Sequence, residues 1–235
     1  MEAYTLITTK SDDKDKFIKV LQHITKLYGI YLRKSDPTLS HSVVTLSNAV
    51  GDSRKLFNLF RAVKEVNDFY NGFIKNNKIL TASLVDVVLQ VSKVFYFLFD
   101  NVAVLCKFDV MKLSHTYCSK VGSCFYLTVL ICGLCKDLYK LYTLLERKEK
   151  EKKRISKETN ESKGKDLNVE IVITFAVITG KIGDLLGTLN ASGVSKVLFG
   201  KQLHESLVVV GGLWGGLVNI IEIVFKSNNG SIKNK

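Results

Sequence analysis

The sequence predicts an all-α, membrane-associated protein with N-terminal amphipathic helices and a C-terminal transmembrane helix. Three observations lead there. The 235 residues contain a single proline, Pro37, so little in the chain interrupts a helix. The composition is 46% hydrophobic yet 24% charged, and the mean hydropathy of +0.13 is high for a soluble protein. Apolar residues recur along the chain at i, i+3, i+4 and i+7, the period of a one-sided helix. A formal net charge of +12 calls for an anionic partner. The apolar excess turns that expectation toward anionic membrane lipid and away from nucleic acid.

Asp15–Arg33 is the first and clearest element. Phe17, Val20, Leu21, Ile24, Leu27, Tyr28 and Tyr31 fall on one side of a helix. Lys16, Lys19, His23 and Lys26 fall on the other. Such a helix can lie among lipid headgroups, its apolar side inserted and its lysines on the phosphates. Lys34–Ser53, rich in Ser and Thr around Pro37, reads as the first break. A second amphipathic helix is expected over Asp52–Phe73, capped at Asp52-Ser53, with the stripe Leu56, Leu59, Phe60, Val63, Val66, Tyr70 and Phe73. Arg54, Lys55, Arg61 and Lys64 make it basic; Arg54, Lys55 and Arg61 join Lys16, Lys19 and Lys26 as expected headgroup ligands.

Ile79–Phe108 is strongly apolar but interrupted by Asp86, Lys93 and Asp100. It fits a buried helix pair or a membrane helix whose polar groups face other helices. Val121–Cys135 is uncharged but short for a span, and Leu138, Leu141, Tyr142 and Leu145 continue its helical spacing. Arg147–Lys165 carries nine basic and four acidic residues and reads as a solvated helix extension and linker. The expected organisation is therefore a membrane-binding region over 1–146, a charged linker over 147–166 and C-terminal apolar helices over 167–235.

Ser206–Phe225 is the best transmembrane segment: twenty residues whose one charge, Glu222, lies near its end. Gly211, Gly212, Gly215 and Gly216 give it overlapping G-x-x-x-G spacings, which let helices associate closely. Gly180, Gly183 and Gly187 read as small-residue packing positions rather than a phosphate loop.

No catalytic constellation emerges, so the chain is not expected to be an enzyme, and no cofactor or metal is expected. Cys132 and Cys135 form a lone C-x-x-C inside an apolar run, where cysteine acts as a small hydrophobe. His23, His41, His115 and His204 are scattered. The start of the sequence lacks a secretory pattern, and its tail lacks Ser-Lys-Leu and ER-retention signals.

From about Asp15 to Asn219 the chain resembles the peroxisomal biogenesis factor 11 family. Asp15-Lys16 and Leu21-Gln22-His23 resemble that family's opening amphipathic helix, and Ser53-Arg54-Lys55-Leu56-Phe57 resembles its Arg-Lys-apolar motif, with Asn58 and Phe60 departing from it. Phe95-Tyr96-Phe97-Leu98-Phe99-Asp100-Asn101 resembles its Tyr-apolar-Asp-Asn segment. Asp184 falls where a Lys/Cys-Asp-apolar element occurs, and Ser206–Val218 resembles the Gly- and Trp-containing C-terminal span. The resemblance implies a protein of the peroxisomal membrane, or of a derived organelle such as a glycosome. It also implies membrane curving, self-association into homo-oligomers, and elongation and fission with dynamin-type machinery and its adaptors. A pore for small metabolites is the competing expectation, with Asp86, Lys93, Asp100, Lys181 and Asp184 along a pathway. A soluble helical scaffold is the third.

Overall fold

The computed structural model of the chain describes residues 2–58, 61–75, 83–155 and 161–232, with side chains described for 14–56, 58, 61–75, 83–151 and 167–225. Leu59 and Phe60 of the second stripe, residues 79–82 of the apolar run and residues 156–160 of the charged linker lie outside the described residues. The described residues hold helices and no strand: α1 (Glu2–Leu32), α2 (Pro37–Phe57), α3 (Arg61–Phe69), α4 (Leu84–Lys107), α5 (His115–Ile155), α6 (Glu161–Ser192), α7 (Val194–Phe199) and α8 (Glu205–Ile232). A π-helical turn, Tyr70–Ile74, continues α3.

The Ser/Thr-rich stretch after Pro37 is not a break. The break is confined to Arg33–Asp36, and α2 starts at Pro37. Asp36, not Asp52-Ser53, is the N-cap; its carboxylate accepts from the Leu39 N–H at 2.9 Å, while Pro37 takes the first helical position, where no N–H is needed. The hydroxyls that suggested a loop are satisfied within the helix or across it. Thr45 and Ser53 donate to the carbonyls of His41 and Ala49, both at 2.9 Å. Ser40 and Ser47 donate to the Gly29 and Gln22 carbonyls of α1 at 2.7 and 2.8 Å. Small residues bring the two helices this close: a Cβ on Gly29 would sit 2.7 Å from Val44 Cγ2. Asp36→Ala is expected to destabilise the protein by about 1 kcal/mol in thermal unfolding, with no change in helix content at low temperature.

The long helices pack in a closed circuit: α4 on α5, α5 on α6, α6 on α8, α8 on α1, α1 on α2, and α2 back across α4. Aromatic stacking joins α4 to α5, with Phe125 5.1 Å from Phe95 and 5.9 Å from Phe99 between ring centroids. Glycine joins α6 to α8. Gly183 meets Gly211 backbone to backbone, so a Cβ on Gly211 would lie 2.8 Å from the Gly183 carbonyl oxygen. Gly180 faces Val218 in the same seam. Gly183→Ala forces two backbones apart and is expected to cost about 1–3 kcal/mol in unfolding measurements. Gly72→Ala, with nothing within 4 Å of the added carbon, is expected to change stability little.

The turn between α6 and α8 is held by one side chain. Asn190 Oδ1 accepts from Ser195 Oγ at 2.8 Å and from the Leu203 N–H at 2.9 Å. Gly193 (φ 81°) and Gly200 (φ 69°) bracket α7 in the left-handed region, which other residues enter only with strain.

Candidate membrane-facing surface and polar cavity

The bundle exposes apolar rows on its outside and gathers a cluster of polar and charged side chains within. On α8 the outward row is Leu207, Val210, Trp214, Leu217, Ile221 and Val224, spaced by alternating threes and fours. Leu84, Val88, Phe95 and Leu98 are exposed on α4, and Val172, Phe175 and Ile182 on α6. Among the described residues three helical stretches are long and apolar enough to cross a membrane: Leu84–Lys107, His115–Glu151 and Glu205–Phe225. Apolar surface this extensive is unfavourable against water and marks contact with lipid or another protein.

Helix α1 follows the same rule. Phe17, Leu21, Ile24, Tyr28 and Tyr31 of the expected inserting stripe point outward, Tyr31 at 78% exposure. Val20, the stripe's inward edge, is 7% exposed and packs on α8, where a Cβ on Gly216 would come within 2.7 Å of its Cγ2. Leu27 is half-buried. Of the glycines expected to associate helices, Gly211 and Gly215 lie against α6, while Gly212 and Gly216 lie against His23 and Val20 of α1.

The basic faces turn inward, where the sequence reading had set them on headgroups. Lys19 Nζ lies 2.5 Å from Asp184 Oδ1 of α6. Lys26 pairs with Glu205 at 3.3 Å, and Arg33 reaches the same carboxylate at 3.0 Å. Arg54 Nε is 3.2 Å from Asp15 Oδ1, and its Nη1 donates to Gln22 Oε1 at 3.1 Å. Lys55 pairs with Asp100 at 3.1 Å. The Arg61 guanidinium stacks 4.7 Å over the Phe97 ring and approaches Glu65, which Gln90 holds from α4 at 3.1 Å. The physical reason is complementarity: aspartates inside apolar helices need cations, and α1 and α2 supply them.

These side chains line a half-open cavity of about 490 Å³. Helix α1 contributes Asp15, Lys16, Lys19, Gln22 and His23; α2 contributes Arg54 and Lys55, with Asn58 directly after it; α3 contributes Arg61. Tyr96, Phe97 and Asp100 come from α4, and Ser119, Ser123 and Tyr126 from α5. Asp184 and Thr188 of α6 and Asn219 of α8 complete the polar wall. His23 belongs to α1, outside the three candidate spans. Burial, then Lys19, Arg54 and Lys26, hold its imidazole down to a pKa of about 4, so it is neutral near pH 7.

Of the residues expected along a pathway, Asp100 and Asp184 line this cavity. Asp86 instead pairs with Lys136 at 2.5 Å and Lys181 with Asp137 at 2.5 Å, while Lys93 is half-buried on α4. The sequence reading missed Asn58, Tyr96, Ser119, Ser123 and Tyr126. Their signal was present but diffuse, as polar residues recurring on the inner face of otherwise apolar helices.

Three helices among the described residues, long and apolar enough to cross a membrane, with apolar rows exposed outside, fit a helical membrane protein. The family model for Peroxisomal biogenesis factor 11 (PEX11) matches residues 1–224. The chain belongs to that family. No curated protein matches it. No solved structure matches it either. Membership assigns a role in peroxisome biogenesis and association with the peroxisomal membrane; the family is one of biogenesis factors, not of enzymes.

Proposed function

We propose that the protein remodels the peroxisomal membrane, or that of a derived organelle such as a glycosome, promoting elongation, fission and organelle proliferation. The observation that carries the reading is the outward stripe Phe17, Leu21, Ile24, Tyr28 and Tyr31 on a helix docked to the α8 span. Seated at the boundary between headgroups and acyl chains, these side chains add area to one leaflet, and unequal leaflet area favours curvature. Docking on α8 fixes the wedge at one depth.

Lys16, Lys19, Lys26, Arg54, Lys55 and Arg61 line the cavity or pair within the chain. Attraction to anionic lipid in this reading falls to exposed cations such as Lys14 within α1 and Lys34 just after it, and to the net charge of +12. The glycine seam is used within the chain, so self-association into homo-oligomers uses outward apolar rows such as that of α8. Dynamin-type machinery and its adaptors then act on the elongated membrane. The test is reconstitution of the full chain into liposomes containing anionic lipid, read by electron microscopy. Tubules that lengthen with protein density support the reading, and smooth vesicles at every density overturn it.

The cavity favours a second reading, a conducting component for small metabolites. Six packed helices place Asp100 and Asp184 around one polar space. Planar-bilayer conductance that is lost on Asp100→Leu supports it; an absence of conductance under all ionic conditions removes it.

A further inference from the structure

We propose that the cavity is a binding site for a small phosphomonoester or for hydrogen phosphate. The proposal requires no passage of the ligand across the bilayer and stands apart from the remodelling and conducting readings.

The charge balance favours an anion. Five cationic side chains of the lining face three carboxylates. Each carboxylate has its own cation: Asp184 takes Lys19, Asp15 takes Arg54 and Asp100 takes Lys55. Arg61 is held by Glu65 outside the lining set, whereas Lys16 has no carboxylate partner among the described residues. The wall therefore carries excess positive charge in a partly desolvated space, where an oxyanion gains strong charge-assisted hydrogen bonds.

The orphaned atoms narrow the ligand further. Asn58 lines the cavity and is 7% exposed; its Nδ2 donates to Asp15 Oδ1 at 2.9 Å, which leaves the amide oxygen as an acceptor. That Oδ1 is buried without a donor. His23 Nδ1 is buried and unpartnered as well. A buried acceptor without a donor is costly. A ligand that brings negative oxygens for Lys16 and a hydroxyl hydrogen for Asn58 completes the wall best. Hydrogen phosphate and hydroxylated phosphomonoesters carry both; sulfate, fully ionised near neutral pH, carries only the first. The volume of about 490 Å³ falls in the range of small-organic-ligand pockets.

The test uses the full chain in nanodiscs of zwitterionic phosphatidylcholine. Inorganic phosphate, glycerol 3-phosphate and sulfate are titrated by calorimetry. Saturable binding of a phosphate ligand at one site per chain is expected, with sulfate weaker by about tenfold. Lys16→Gln leaves the three ion pairs of the lining intact, so it is expected to fold as the wild type does and to lose about tenfold in phosphate affinity. Lys112→Gln, on the exposed α4–α5 turn, is expected to bind normally. A second set of discs containing phosphatidic acid separates the sources. Loss of phosphate binding there assigns the site to a lipid phosphomonoester, and unchanged binding assigns it to the soluble ligand. No saturable binding in phosphatidylcholine discs, equal affinity for sulfate and phosphate, or unchanged affinity in a folded Lys16→Gln protein overturns the proposal.

Discussion

Lys19→Met is expected to destabilise the bundle by about 3–5 kcal/mol, because it leaves the Asp184 carboxylate buried and unpaired. The Lys19 and Asp184 side chains are only 14% and 10% exposed, and their contact joins α1 to α6 across 165 positions of sequence. The second substitution identifies the cause. Lys19→Met with Asp184→Leu removes both charges, and an apolar pair of similar volume in place of a buried ion pair is close to neutral. Unfolding of the purified protein in detergent should therefore show a large loss for the single variant and recovery of most of it in the double variant. A single variant as stable as the wild type would mean that Lys19 does not face Asp184.

The second large effect falls on function rather than stability. Leu21 and Ile24 are 47% and 50% exposed on the outer face of α1. Leu21→Glu with Ile24→Glu changes two side chains that are about half exposed, so unfolding in detergent should change far less than for Lys19→Met. In the membrane each carboxylate meets lipid, at a cost of up to about 2.5–3.5 kcal/mol at the bilayer centre and less toward the interface. Liposome tubulation and organelle elongation should both be lost. Retained tubulation by a double variant that folds normally would remove α1 as the wedge.

The helical class and the principal apolar segments were legible because periodicity records which positions share a face. The glycine seam was legible for the same reason: Gly180, Gly183, Gly211 and Gly215 are small where two helices must meet. Three features were not. Ser40, Ser42, Thr45 and Ser47 looked like a loop because hydroxyls compete with the helix backbone, but here they donate to carbonyls of α1 or of their own helix. The stripe of α1 revealed two faces without saying which one packs. In water the apolar face turns inward. A bilayer allows Lys19 and His23 to turn inward instead, and periodicity alone does not distinguish the two. The cavity was beyond reach because its wall is drawn from segments as distant as Asp15 and Asn219, each contributing a few polar residues that look unremarkable alone.

In the proposed arrangement the apolar side of α1 faces lipid while its charged side faces the interior. The chain's single tryptophan makes a direct measurement possible. In a Trp214→Phe background, Tyr28→Trp places one fluorophore on the outer face of α1, at a position that is 52% exposed. Reconstituted in bilayers containing brominated phospholipid, that tryptophan should be strongly quenched by the lipid and weakly by aqueous iodide. Strong iodide quenching with no effect of the brominated lipid would contradict the account.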